Sequence, residues 1–146
     1  MEQVSIPRCL RPSDFDVSVC ELHHFCDGSS VGYGACSYIR LLSDSGLPVV
    51  SLIFAKSRVA PVKPITIPRL ELASAVLAVK IAVMLEKELK YSSISHHFYS
   101  DSQVVLGYIS NSSKRFHVFV ANRPWHRRLW ARPRICRYQD RSSRHR

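Results

Sequence analysis

The chain has 146 residues, 46% of them hydrophobic, and a formal net charge of +10, which is enough apolar material for one domain with its own core. It holds no run of 18 apolar residues, so no membrane span is expected, and its opening MEQVSIPRCL lacks the basic and apolar blocks of a secretory signal. Its five cysteines (Cys9, Cys20, Cys26, Cys36, Cys136) are odd in number and form no CxxC pair, which favours reduced thiols in a cytoplasmic or nuclear protein over a disulfide framework or a zinc site.

The charge is unevenly spread. Residues 1–122 carry 12 Lys/Arg against 10 Asp/Glu, whereas residues 123–146 carry nine Arg against Asp140 alone. A stretch so rich in Arg, Trp and Pro, without apolar periodicity, is not expected to share a core. The organisation expected is an irregular lead over 1–19, a folded domain over 20–122, and a basic, disordered or out-of-frame tail over 123–146.

In chain order, CELHHFC (20–26) reads as a first strand and GYGACSYIRLL (32–42) as a second. SDSGLP (43–48) supplies a turn, and VVSLIFAKSRV (49–59) is a third, β-branched strand; the three make an antiparallel meander. After the proline-punctuated APVKPITIP comes LELASAVLAVKIAVMLEKELK (70–90), a helix by its strong helix formers, with Pro68 just before it and charge at its far end. SISHHFYS (93–100) is a fourth strand and SQVVLGYISN (102–111) a shorter helix; KRFHVFVANR (114–123) is open between helix and strand. Strands, helix, strand and helix on a mixed sheet make an α/β layer architecture.

Three carboxylates stand in apolar or junction contexts. Asp27 ends the first strand, Glu71 lies in the first turn of the apolar helix, and Asp101 opens the second helix. The ends of strands one and four are neighbours in such a sheet, so Asp27 and Asp101 meet if the first strand pairs with the fourth, and the start of the helix can be brought to the same point. Acids so clustered repel unless cations sit among them, and hard divalent ions with oxygen ligands, Mg²⁺ or Mn²⁺, suit that role. Taken singly, Asp27 and Asp101 also read as turn or N-cap residues, and Glu71 as a helix-dipole residue.

The runs FCDGSSVGYGA, PRLEL and YSDSQVVLGYI resemble the ribonuclease H-like fold of retroelement polyproteins. The longer strings ELHHFCDGSSVGYGACSYIR, AKSRVAPVKPITIPRLELASAVLA and RFHVFVANR are similar to the segment that follows the reverse transcriptase in BEL/Pao retrotransposons, over roughly residues 4–123. The pattern departs at Gly28, where Ala is more usual. The resemblance implies an RNase H-like mixed sheet and hydrolysis of the RNA strand of an RNA–DNA hybrid with two Mg²⁺ or Mn²⁺ ions. It makes Asp27, Glu71 and Asp101 the catalytic and metal-holding acids, and the reverse transcriptase of the parent polyprotein a partner. Ser29 and Ser30, in the glycine-containing turn, are candidate contacts to phosphate or the 2′-OH.

Two further features compete or complicate. Asp44-Ser45-Gly46 matches the triplet of a dimeric, Pao-type retrotransposon aspartic peptidase, but in a Ser/Asp/Gly/Pro hairpin it reads first as a turn. His23/His24 and His96/His97 alternate on adjacent strands, so one of each pair is expected to face a helix; no ligand spacing marks them as a metal site.

The family resemblance further implies a fifth strand and a last helix opening on an Asn/Asp-Pro-Ala-Asp motif whose aspartate is a fourth acid. Neither is legible here. RSSRHR can be encoded CGA TCC AGC AGA CAT CGC, which one nucleotide later reads Asp-Pro-Ala-Asp-Ile. The tail is therefore expected to be out-of-frame and the nuclease weakened or inactive; the alternative is a non-catalytic remnant that at most binds nucleic acid.

Overall fold

Alternation of apolar and polar side chains builds the sheet. In β1 (Val19–Gly28), Cys20, Leu22 and His24 are buried on one face while Glu21, His23 and Phe25 take the other. β2 (Gly32–Leu42) repeats the pattern with Ala35, Ser37, Ile39 and Leu41, and pairs antiparallel with β1 from Val19↔Leu42 to Gly28↔Tyr33. β3 (Pro48–Val59) continues the meander, with a register shift opposite Ser37/Tyr38. The computed structural model describes residues 10, 16–44, 48–63, 65–110 and 134–137.

α1 (Ile67–Glu88) lies across the buried face. It starts three residues earlier than the sequence implies, so Pro68 stands inside the first turn, where its missing N–H leaves nothing unpaired. Glu71 consequently falls in the second turn and not the first. Leu70, Leu77, Ala78, Ile81 and Leu85 of α1 are buried, and all but Leu70 join Cys20, Leu22, Ile39 and Leu41 in one core. Leu22, Ile39 and Leu41 are at most 1% exposed, each stabilising the fold by about 1.5–3 kcal/mol relative to an exposed side chain.

β4 (Ile94–Ser100) pairs parallel with β1, from Cys20↔Ile94 to Phe25↔Tyr99, and leads into α2 (Gln103–Ser110), which touches α1. The sequence pattern predicts a sheet lacking the usual fifth strand, and here the structure differs. β5 (Arg134–Arg137) runs parallel beside β4, from His97↔Arg134 to Ser100↔Arg137, completing the order β3-β2-β1-β4-β5. The physical reason is the unpaired N–H and C=O row that β4 otherwise presents, a strong template for any short extended segment. The open segment 114–123, the lead over 1–9 and 11–15, and the rest of the tail lie outside the described residues. Among the described residues no helix is long and apolar enough to cross a membrane.

As alternation requires, one histidine of each pair turns toward α1. His24 is fully buried, its Nδ1 2.7 Å from Ser37 Oγ and its Nε2 3.1 Å from His96 Nδ1. Burial, aided by the neighbouring His96, His23 and His97, lowers its pKa to about 3, so it is a neutral core residue.

Candidate active site

The parallel register of β1 and β4, carried two residues beyond Phe25↔Tyr99, brings Asp27 level with Asp101. Both are exposed, and both line a cleft of about 930 Å³ at this end of the sheet. Asp27 Oδ1 accepts the Gly28 N–H at 2.7 Å, which holds the carboxylate at the strand end. By alternation the two aspartates belong to the face opposite α1, so Glu71 must come round the end of β1 to reach them.

Gly28 opens that way. A Cβ there would lie 2.7 Å from Glu71 N and from Leu70 C, and 2.9 Å from Leu70 O. Glycine lets the backbone of α1 rest this closely on the strand in this chain; the alanine more usual at this position in the resembled family would need the helix seated farther off. The other side of the junction is tied by one hydroxyl. Ser102 Oγ donates to Glu71 Oε2 at 2.7 Å and accepts from the Val105 N–H at 3.1 Å. Ser102 thus caps α2 and orients Glu71 at once; the N-cap is Ser102, and Asp101 stands one residue before it with its carboxylate uncommitted to the cap.

Cys26 reports the electrostatics of this junction. Its thiol pKa is raised to about 11, chiefly by burial; hydrogen bonds from Ser74 and Ser100 act the other way, while the negative charges of Asp101 and Asp27 push it further up. Both aspartates are therefore close enough to raise the Cys26 thiol. The three acids are drawn to one end of the sheet, but not into a tight knot. Among the described residues, the group whose ligand atoms all lie within 4.8 Å of one another is Glu21, His23 and His97, farther down β1 and β4.

The donor set of Asp27, Glu71 and Asp101 is all oxygen and anionic, which is the chemistry Mg²⁺ and Mn²⁺ require. Ser29 lines the cleft, its hydroxyl donating to Gly32 O at 3.2 Å across the β1–β2 turn, and Ser30 is exposed beside it. Sequence reasoning missed Lys56 and Arg58, exposed on β3 and lining the same cleft. The only signal was the charged AKSR ending an apolar strand, and register alone places it across β2 from the turn. Asp44 is exposed beyond the Val19↔Leu42 end of the meander, remote from the cleft, while Ser45 and Gly46 lie outside the described residues.

The fold is similar to solved RNase H structures. RNase H1 from the halophilic archaeon Halobacterium salinarum NRC-1 is 17% identical, with 81% of this chain and 85% of that chain covered and a TM-score of 0.46. LC11-RNase H1, isolated from compost by a metagenomic approach, is 9% identical over 82% and 84%, with a TM-score of 0.49. The N-terminal RNase H domain of rv2228c from Mycobacterium tuberculosis is 11% identical over 84% and 87%, with a TM-score of 0.42. No curated protein matches the chain. The family model of the Pao retrotransposon-like RNaseH-like domain matches residues 1–102, which contain β1–β4, α1 and all three acids. With the order β3-β2-β1-β4-β5 and the acids at the ends of β1 and β4 and on α1, the chain belongs to the Pao retrotransposon-like RNaseH-like domain family.

Proposed function

We propose that this domain descends from, and retains the acids of, a nuclease that hydrolyses the RNA strand of RNA–DNA hybrids, with Asp27, Glu71 and Asp101 holding divalent cations. The observation that carries this reading is the pair of contacts that bring three separate elements together: Gly28 against the Leu70–Glu71 backbone, and Ser102 Oγ on the Glu71 carboxylate. An all-oxygen, anionic set suits Mg²⁺ or Mn²⁺, and two such ions are what the family resemblance implies. Bound there, such cations supply Lewis-acid stabilisation of charge on the phosphoryl oxygens.

The chain's own residues do the rest. Asp27 and Asp101 present anionic oxygens into the cleft from adjacent strands, and Ser102 fixes the rotamer of Glu71 so that its second oxygen is left for a ligand. Lys56 and Arg58, which by register share the α1 side of the sheet with Ala35 and Tyr33, add positive charge at the edge of the cleft for the phosphates of a duplex, a contact that positions without reading sequence. Ser29 at the cleft and the exposed Ser30 beside it are the hydroxyls proposed to contact phosphate or the 2′-OH of the RNA strand. In the parent element the partner of this domain is the reverse transcriptase of the same polyprotein.

The test is cleavage of an RNA–DNA hybrid by the full chain in Mg²⁺ and in Mn²⁺. Asp27→Asn keeps the shape and removes the charge, so any cleavage should vanish with it and with EDTA. Cleavage that survives both would refute the cation-dependent reading. Hybrid binding without cleavage in either metal would assign the chain to a non-catalytic remnant.

A further inference from the structure

A second cluster of metal-ligating side chains stands on the face of the sheet opposite α1, four to six residues back along β1 from Asp27, or at least about 13 Å at strand rise. We propose that Glu21, His23 and His97 form a site for a transition-metal cation of the Zn²⁺ class, distinct from the carboxylate cleft and independent of its function.

The strand geometry makes this cluster. Glu21 and His23 are two apart on β1 and so share a face, and His97 is the direct partner of His23 in the parallel register with β4. The imidazoles of His23 and His97 stack with centroids 4.8 Å apart and planes within 10°. Their Nε2 atoms both address the Glu21 carboxylate, His23 at 3.4 Å from Oε2 and His97 at 3.9 Å from Oε1. All three side chains are 13–20% exposed, dry enough to strengthen a coordination bond and open enough for an ion to enter.

The surroundings orient the ligands. Tyr99 OH lies 2.9 Å from His23 Nδ1, and engaging that nitrogen leaves Nε2 for a cation; such outer partners normally set the tautomer and angle of a metal-bound imidazole. Arg40 bonds Glu21 Oε2 at 2.5 Å and leaves Oε1 on the His97 side. Although burial works against ionisation, hydrogen bonds from Arg40 and His23 and the nearby positive charge leave the Glu21 carboxyl below its ordinary range. Two imidazoles and one carboxylate, with a fourth position open to water, form a donor set that selects Zn²⁺ over Mg²⁺ or Ca²⁺. To reach ligand distances of about 2.0–2.1 Å the three groups need only draw together from their present spacing. The ion would then tie β1 to β4.

The experiment titrates the metal-stripped full chain with Zn²⁺ alone by calorimetry, and with Co²⁺ by visible absorption. Expected are one tight Zn²⁺ per chain, a rise in Tm with Zn²⁺, and a Co²⁺ spectrum without sulfur-to-metal charge transfer. Glu21→Gln and His23→Gln should each remove that binding, and Tyr99→Phe should weaken it about 10- to 100-fold. Arg40→Gln should tighten it, because a competing cation is removed; a gain of this kind cannot come from misfolding. The proposal is overturned by no binding, by a thiolate charge-transfer band, or by Zn²⁺ affinity that none of these variants moves.

Discussion

Gly28→Ala is the most direct probe of how the strand and helix are joined. The φ of Gly28 lies outside the left-handed region, so alanine fits the backbone and only space is at issue. Its Cβ would stand 2.7 Å from two backbone atoms of α1, where ordinary contact begins at 3.4 Å. Neither atom belongs to a flexible side chain, so α1 must retreat by about 0.7 Å. Overpacking of this kind costs about 1–3 kcal/mol. Replacing glycine returns about 0.4–1 kcal/mol by restricting the unfolded chain. The net loss is therefore about 0.5–2 kcal/mol, or about 2–8 °C in Tm for a chain of this size. Because Glu71 N is one of the atoms displaced, the acids separate as well. A misplacement near 1 Å costs about 100-fold in rate, so any hybrid cleavage should fall about 10- to 100-fold. Urea and thermal unfolding by circular dichroism, beside a hybrid-cleavage assay, measure both effects. A variant that is more stable by about 0.4–1 kcal/mol, with cleavage unchanged, would show that only the unfolded-chain effect operates. The close strand–helix contact would then have no role in holding the site.

Ser102→Ala removes the α2 cap and the donor to Glu71 together. The expected loss is about 2–3 kcal/mol, from a cap of about 1 kcal/mol and a hydrogen bond to a charged group of about 1.5–3 kcal/mol, reduced by their sharing one hydroxyl. Ser102→Thr should recover most of it in the same unfolding assay. Acid should unfold the protein in a window set by His24, whose folded pKa of about 3 lies below its usual 6.5. Between those values the unfolded chain binds the proton and the folded one does not, so stability is fully present above pH 6.5 and falls toward pH 3, by at most about 1.4 kcal/mol per pH unit. His24→Phe, whose ring can keep the stack on Phe98, should flatten that limb in urea titrations at successive pH values; a slope unchanged from the parent would refute the assignment. Deleting 123–146 removes β5 and a net charge of +8 together. The shortened chain should aggregate more through the bared β4 edge, and any nucleic-acid binding should show a shallower salt slope; equal solubility in sedimentation would count against the pairing of β5.

Much of this was legible in the chain itself, because its signals are local. Alternation in CELHHFC and GYGACSYIRLL, the Ser/Asp/Gly/Pro turn at 43–48 and the unbroken helix formers after Pro68 each depend on neighbours a few residues away, and the elements formed where they point. The three acids stood out for the same reason, as charges at the ends of apolar runs. What the tertiary structure alone decided depends on separation in sequence. That Glu71 is approached by Gly28 across 43 positions and held by Ser102 across 31 is a matter of strand order and helix seating, and no local pattern encodes it. Glu21 carried no signal at all, since a single acid in a strand is ordinary. It joins His23 and His97 only because β4 crosses over to lie parallel to β1 in one particular register. The fifth strand was hidden likewise: RICR has no strand pattern to speak of in an arginine-rich tail, and its pairing follows from the open edge of β4. Local periodicity chooses the elements; the unsatisfied backbone and packing between distant segments choose their neighbours, and with them the site.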